Sequence, residues 1–106
     1  MTMQTHHRCQ LTIIAEFVLE ARLVALVKQL GAQGYTVHEV RGGSFSTDGE
    51  RHREGAGDTD RTIEMKVICE RATAETIAQK VLDEFAQHFS VRVTLAEVEV
   101  FRPAKY

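Results

Sequence analysis

The chain has 106 residues, a formal charge of −2, and apolar and charged fractions of 43% and 26%, a profile that predicts one soluble domain, 1–106, able to bury a core without staples. The slightly acidic balance excludes the basic field that non-specific binding to nucleic acid or a membrane surface requires. No apolar run approaches the roughly 20 residues of a bilayer span, and MTMQTHHRCQ contains no apolar signal stretch, so a cytoplasmic protein without membrane insertion is expected.

Residues 9–15, CQLTIIA, alternate Cys9, Leu11, Ile13 and Ala15 against Gln10, Thr12 and Ile14, which predicts a strand. From Phe17 the period changes to that of a helix, with Leu19, Leu23, Leu26, Val27 and Leu30 on one stripe. Gly31 follows as its terminator and Gly34 as a turn residue. Tyr35, Thr36, Val37 and Val40 predict a second strand over 34–41. Residues 62–69 alternate cleanly, with Ile63, Met65, Val67 and Cys69 against Thr62, Glu64, Lys66 and Ile68. Thr73 is the expected N-cap of a second helix whose stripe is Ala74, Ile77, Ala78, Val81, Leu82 and Phe85. The last strand, Val91 to Phe101, changes phase between Leu95 and Val98, which predicts a bulge or bend near Ala96.

Between the second and third strands lies GGSFSTDGERHREGAGDTD, with five of the seven glycines and a mixture of charges that includes Arg51, Arg53, Glu50 and Asp58. Loops beyond roughly 12–15 residues in compact domains are usually functional or disordered, so a flexible, functional loop of about 43–60 is expected. The order β-α-β-β-α-β is the ferredoxin-like arrangement: α+β, a four-stranded antiparallel sheet with two helices on one face and a long loop between strands 2 and 3. The other face must hide Ile14, Ile68, Val40 and one phase of the last strand, which predicts self-association.

This fold hosts unrelated functions, so chemistry must be sought in residues. Gly42-Gly43-Ser44-Phe45, where a strand runs into the loop, offers backbone N–H groups for an anion, with Arg41 or Arg102 as the fixed charge; Arg41, Gly43 and Ser44 are the candidates for a small anion such as bicarbonate. A bulge at a strand end explains the paired glycines equally well. His6 and His7 are adjacent, so on a strand they point to opposite faces, and with His38, His52 and His88 they read as surface histidines; no metal site is expected. Cys9 and Cys69 read as two buried free thiols, with a disulfide open to them only if their strands are neighbours. No Ser-His-Asp or Cys-His spacing suggests catalysis, and the chain is not expected to be an enzyme. The Gly-x-Val-Gln-Gly-Val stretch that acylphosphatases place after their first strand has no counterpart in AEFVLEAR.

LTIIAEFVLEARLVALVKQLGAQGYTVHEVRGGS resembles the N-terminal half of PII signal-transduction proteins. There, Gly-Met-Thr-Val-x-x-Val-x-Gly-x-Gly leads into the long T-loop; here the counterpart is Gly34 to Ser44. TIEMKVIC is similar to the family's Lys-x-Lys-Ile-Glu-Ile-Val-Val strand, and LAEVEVFRP to its Val-Ala-Arg-Val-Ile-Arg-Ile-Arg end, with Arg102 at the last arginine. The resemblance spans residues 10–102. It implies a homotrimer that holds nucleotides in clefts between subunits and reports the bound state to a partner through the loop.

Carried over by residue, it puts Gly34, Thr36, Glu64 and Lys66 near adenine, Gly42, Gly43, Ser44 and Phe45 near phosphate or ribose, and Arg102 on phosphate. The family's Gly-Lys-x-Gly-Asp-Gly-Lys phosphate loop is absent, AQHFSVRV standing in its place, and the penultimate arginine of the last strand is Val100. ADP or AMP is therefore expected in preference to ATP, since fewer charges need fewer donors. The loop has no tyrosine, so uridylylation is not expected. The chain looks most like the short PII-like proteins associated with bicarbonate transporters and carboxysomes, and a regulatory target of that kind is implied. The alternatives are a trimeric metal-binding or ion-tolerance protein of the same fold, with His and Cys at subunit contacts, and a slow nucleotide hydrolase dependent on Arg102.

Overall fold

The computed structural model describes residues 3–43, 45 and 61–106; Ser44 and residues 46–60, among them Arg51, His52 and Arg53, lie outside the described residues. The fold is the expected ferredoxin-like one, with strands β1 (His6–Glu16), β2 (Thr36–Val40), β3 (Thr62–Cys69) and β4 (Val91–Val100) and helices α1 (Glu20–Gln29) and α2 (Arg71–Phe85). The sheet order is β2-β3-β1-β4, and each neighbouring pair is antiparallel.

β1 begins earlier than expected, at His6, because its first residues pair with the end of β4: His6 faces Val100 and His7 faces Glu99. The two histidines lie on opposite faces, as their adjacency on a strand requires. Phe17–Leu19 form a short 3-10 turn that leads into α1. That helix ends in a Schellman arrangement: Ala32 N–H donates to the Val27 carbonyl at 3.0 Å and Gly31 N–H to the Lys28 carbonyl at 3.2 Å. Gly31 at φ 104° is the one described glycine in the left-handed region, and it is the position where the motif requires it.

Two local expectations are corrected. Thr73 is not the cap of α2: the helix already starts at Arg71, and its cap is Glu70, extended at φ −63°, ψ 152°, with no side-chain hydrogen bond. β3 runs straight to Cys69, so no residues are left for a turn, and the chain enters the helix directly. Nor is there a bulge near Ala96, since β4 keeps one register against β1 from Val91–Ala15 to Val100–His6. The change of phase reflects a change in which face is covered. Val91 and Val93 pack on the helix side, whereas Val98 and Val100 lie on the opposite side, near a 3-10 turn at Pro103–Lys105.

The core lies between the helices and one face of the sheet. Leu11, Ile13, Ile63, Met65 and Val67 meet Leu23 and Val27 of α1 and Ile77, Val81 and Phe85 of α2, all at 0–1% exposure. Burial of each such side chain is worth about 1.5–3 kcal/mol. The register places Val40, Ile14, Ile68, Val98 and Val100 on the helix-free face, as anticipated, spread along it among Thr36, His38, Glu64, Lys66, Thr12 and Arg92.

Candidate functional site

One cross-strand row on the helix-free face runs His38, Glu64, Ile14, Arg92. It borders a cleft of about 520 Å³ at the end of the sheet where β1 finishes and the loop departs. Arg41, Gly42 and Gly43 form one wall, Thr62 and Glu64 the floor, and Ser90 and Arg92 the far side. Glu16 ties the cleft together by accepting a hydrogen bond from Ser90 N–H at 2.8 Å.

The charges divide into engaged and available. Glu64 is held by His38 Nε2 at 3.2 Å and lies 3.9 Å from Lys66 Nζ, and Glu16 is engaged by Ser90. Among the described residues, neither Arg41 nor Arg92 has an acidic partner. Two uncommitted guanidinium groups thus face a cleft whose carboxylates are already engaged, a setting for an anionic ligand.

Gly42 and Gly43 have no positive φ, so the concavity that alternating left- and right-handed backbone makes is not formed there. What they contribute is room, because a Cβ at either position would meet no atom of the described residues within 4 Å.

Of the residues expected from the sequence, Arg41, Gly42, Gly43 and Glu64 converge on this cleft. Thr36 and Lys66 face each other directly across β2 and β3, two positions further along the same face, with Gly34 just before them. Phe45 is fully exposed. Arg102 is not with them: it lies in a second depression of about 570 Å³ with Val98, Phe101, Lys105 and Tyr106, at the opposite end of β1. A single chain therefore divides the expected site. Val100, at the position of the family's arginine, is 6% exposed. Sequence reasoning missed Arg92, Ser90, Thr62 and Glu16. Arg92 shares the parity of Val98 and Val100 in β4, and that parity was the signal for its face.

The loop's return is anchored at Arg61, whose guanidinium lies 3.8 Å from the centroid of the Phe17 ring and binds the Glu39 carboxylate. The hydrogen bond from Arg61 holds the Glu39 carboxyl below its ordinary 4.5. A depressed carboxylate contributes stability above its unfolded value and loses it as pH falls through the folded one. Glu39→Gln should therefore lower the melting temperature slightly at neutral pH and converge with the wild type in acid, where the native carboxyl is itself protonated, so that part of the acid-side fall is flattened. Parallel pH profiles for the two proteins would sink this assignment.

The family model of the nitrogen regulatory protein P-II matches residues 8–105. No curated protein sequence matches the chain. Among solved structures, a PII-like signalling protein of Thermus thermophilus is 33% identical with a TM-score of 0.79, over 98% of this chain and 99% of that one. CPII of Thiomonas intermedia bound to ADP, AMP and acetate is 19% identical with a TM-score of 0.80, and CPII bound to ADP and bicarbonate is 21% identical with a TM-score of 0.80; each covers 98% of both chains. The chain belongs to the P-II family. It is a PII-like signalling protein, in a family that is regulatory and whose members usually form trimers that bind nucleotides. Among the described residues, no helix is long and apolar enough to cross a membrane.

Proposed function

We propose that this protein senses adenine nucleotide, ADP or AMP in preference to ATP, with bicarbonate as a second ligand. It signals through loop 43–60 to a partner in inorganic carbon metabolism, such as a bicarbonate transporter or a carboxysome-related protein, and acts in the cytoplasm as a homotrimer of single-domain subunits. The observation that carries the reading is the pair of arginines, Arg41 and Arg92, that line a cleft at the base of the loop and have no acidic partner among the described residues. The solved relatives that hold ADP, AMP and bicarbonate support the ligand classes.

The division of the site supports assembly, since Arg102 can join Arg41 and Gly43 only from another copy. Gly34, Thr36, Glu64 and Lys66 would lie on the adenine side, and Gly42, Gly43, Ser44 and Phe45 at the phosphates or ribose. Val100 in place of an arginine, and the missing phosphate loop, favour the less charged nucleotides. Ligand bound at the loop base shifts the loop by its differential affinity for the two loop states.

Calorimetric titration with AMP, ADP and ATP, each with and without bicarbonate, tests the reading. Saturable binding of ADP or AMP that bicarbonate alters is expected; no heat with any nucleotide would overturn it. Gly43→Val adds a second arm. Among the described residues no atom crowds that position, so melting should be unchanged while affinity falls, and an unchanged affinity would place the anion elsewhere.

A further inference from the structure

Cys9 and Cys69 stand directly opposite each other in the central strand pair. Both are free and buried, at 4% and 3% exposure. Phe17 N–H donates to the Arg61 carbonyl at 2.8 Å, and the pairing keeps one register from there to the cysteines. Hydrogen-bonded and non-hydrogen-bonded pairs alternate along an antiparallel ladder. Cys9–Cys69 lies an even number of pairs from Phe17–Arg61, so it too is hydrogen-bonded.

Such pairs hold their Cα atoms about 5.5 Å apart, inside the roughly 4.4–6.8 Å that a disulfide spans. Their Cβ atoms lie about 5.5 Å apart, beyond the roughly 3.5–4.5 Å that a relaxed disulfide prefers. Closure draws the side chains together by about 1 Å, which makes a strained bond that is reopened easily.

A cavity of about 370 Å³ borders one of the two cysteines. Cys9 lines it, with Arg8 and Arg71 beside it, whereas Cys69 does not. Burial, followed by the influence of Cys9 and Glu70, holds the Cys69 thiol above its ordinary 9.0. Cys9 is therefore the thiol that meets a soluble oxidant first.

We propose that Cys9 and Cys69 form a reversible cross-strand disulfide, closed by a low-molecular-weight disulfide such as oxidised glutathione. Cys9, as thiolate, attacks one sulfur of the oxidant, forming a mixed disulfide and releasing one molecule of thiol. Cys69, losing its proton, attacks the Cys9 sulfur and releases the second. Two protein thiols are oxidised and one small disulfide is reduced to two thiols. The neighbours of the pair, Arg8 and Glu70, lie 3.6 Å apart, and Arg8 donates to the Pro103 carbonyl at 3.4 Å. Closure therefore acts on the strand ends that hold the C-terminal turn.

The test equilibrates the native full chain in mixtures of reduced and oxidised glutathione, quenches with acid, alkylates free thiols under denaturing conditions and reads the intact mass. Two alkylated thiols in the reducing mixtures should give way to none in the oxidising ones, with loss of two hydrogens, no covalent dimer, and full return on adding reduced glutathione. Cys69→Ala should leave Cys9 carrying one glutathione, and Cys9→Ala should leave Cys69 free. The proposal is overturned by two alkylated thiols in the most oxidising mixture. A wild-type glutathione adduct that never closes, a bond between chains, or a bond that reduced glutathione does not reopen overturns it equally. The wild-type series decides the matter even if a variant fails to fold.

Discussion

Arg92→Ala should weaken ADP binding by about tenfold to a hundredfold, with no change in the melting transition. Arg92 is exposed on β4 and has no acidic partner among the described residues, so removing it leaves no buried charge uncompensated. A hydrogen bond to a charged group contributes about 1.5–3 kcal/mol, and about 1.4 kcal/mol is a factor of ten in affinity. Calorimetry at fixed ionic strength measures the loss. Thr94→Ala, one step further along the same face, serves as the control and should bind as the wild type does. Equal affinities for Arg92→Ala and the wild type would remove Arg92 from the anion site.

The second large effect is structural. Phe85 closes α2 over the core at 1% exposure. The Arg22 guanidinium lies 4.7 Å from its ring centroid, and the Phe89 ring meets it edge-on at 6.3 Å and 70°. Phe85→Ala removes the apolar volume and both ring contacts, a loss of about 3–5 kcal/mol for a buried aromatic. Domains of this size are stable by about 5–15 kcal/mol in total, so the variant should lose a large share of its stability. Urea unfolding at matched protein concentration reads the loss, since any association adds stability that depends on concentration. A change below about 1 kcal/mol would mean that the α2 end of the core collapses around the hole.

The parts of this protein legible in its sequence are those where one periodicity dominates. Ile63, Met65, Val67 and Cys69 alternate without interruption, and β3 occupies the span expected for it. The stripe of Leu23, Leu26 and Val27 gives α1 its buried side, and Gly31 stops it where a left-handed residue is needed. Arg41, Gly42 and Gly43 were recognisable because a strand ends in paired glycines there. Arg92 was not, because the bulge expected near Ala96 put it out of phase with Val98 and Val100, whose parity in an unbroken strand marks its face. Ala96 misled for a related reason: Val93 and Val98 are covered by different parts of the chain, and alternation read along one strand mistakes a change of cover for a slip of backbone. Thr73 is a good capping residue in the wrong place, overruled by a strand that reaches the helix without an intervening turn.

The position of Arg102, far from Arg41 in one chain, has an optical consequence. The chain has no tryptophan and only two tyrosines, and these mark different parts of the divided site. Tyr106 lines the depression that holds Arg102; Tyr35, half exposed, precedes the Thr36–Lys66 pair. Intrinsic emission excited in the tyrosine band is thus a label-free signal from both parts of the expected site, and single Tyr→Phe replacements assign it to one or the other.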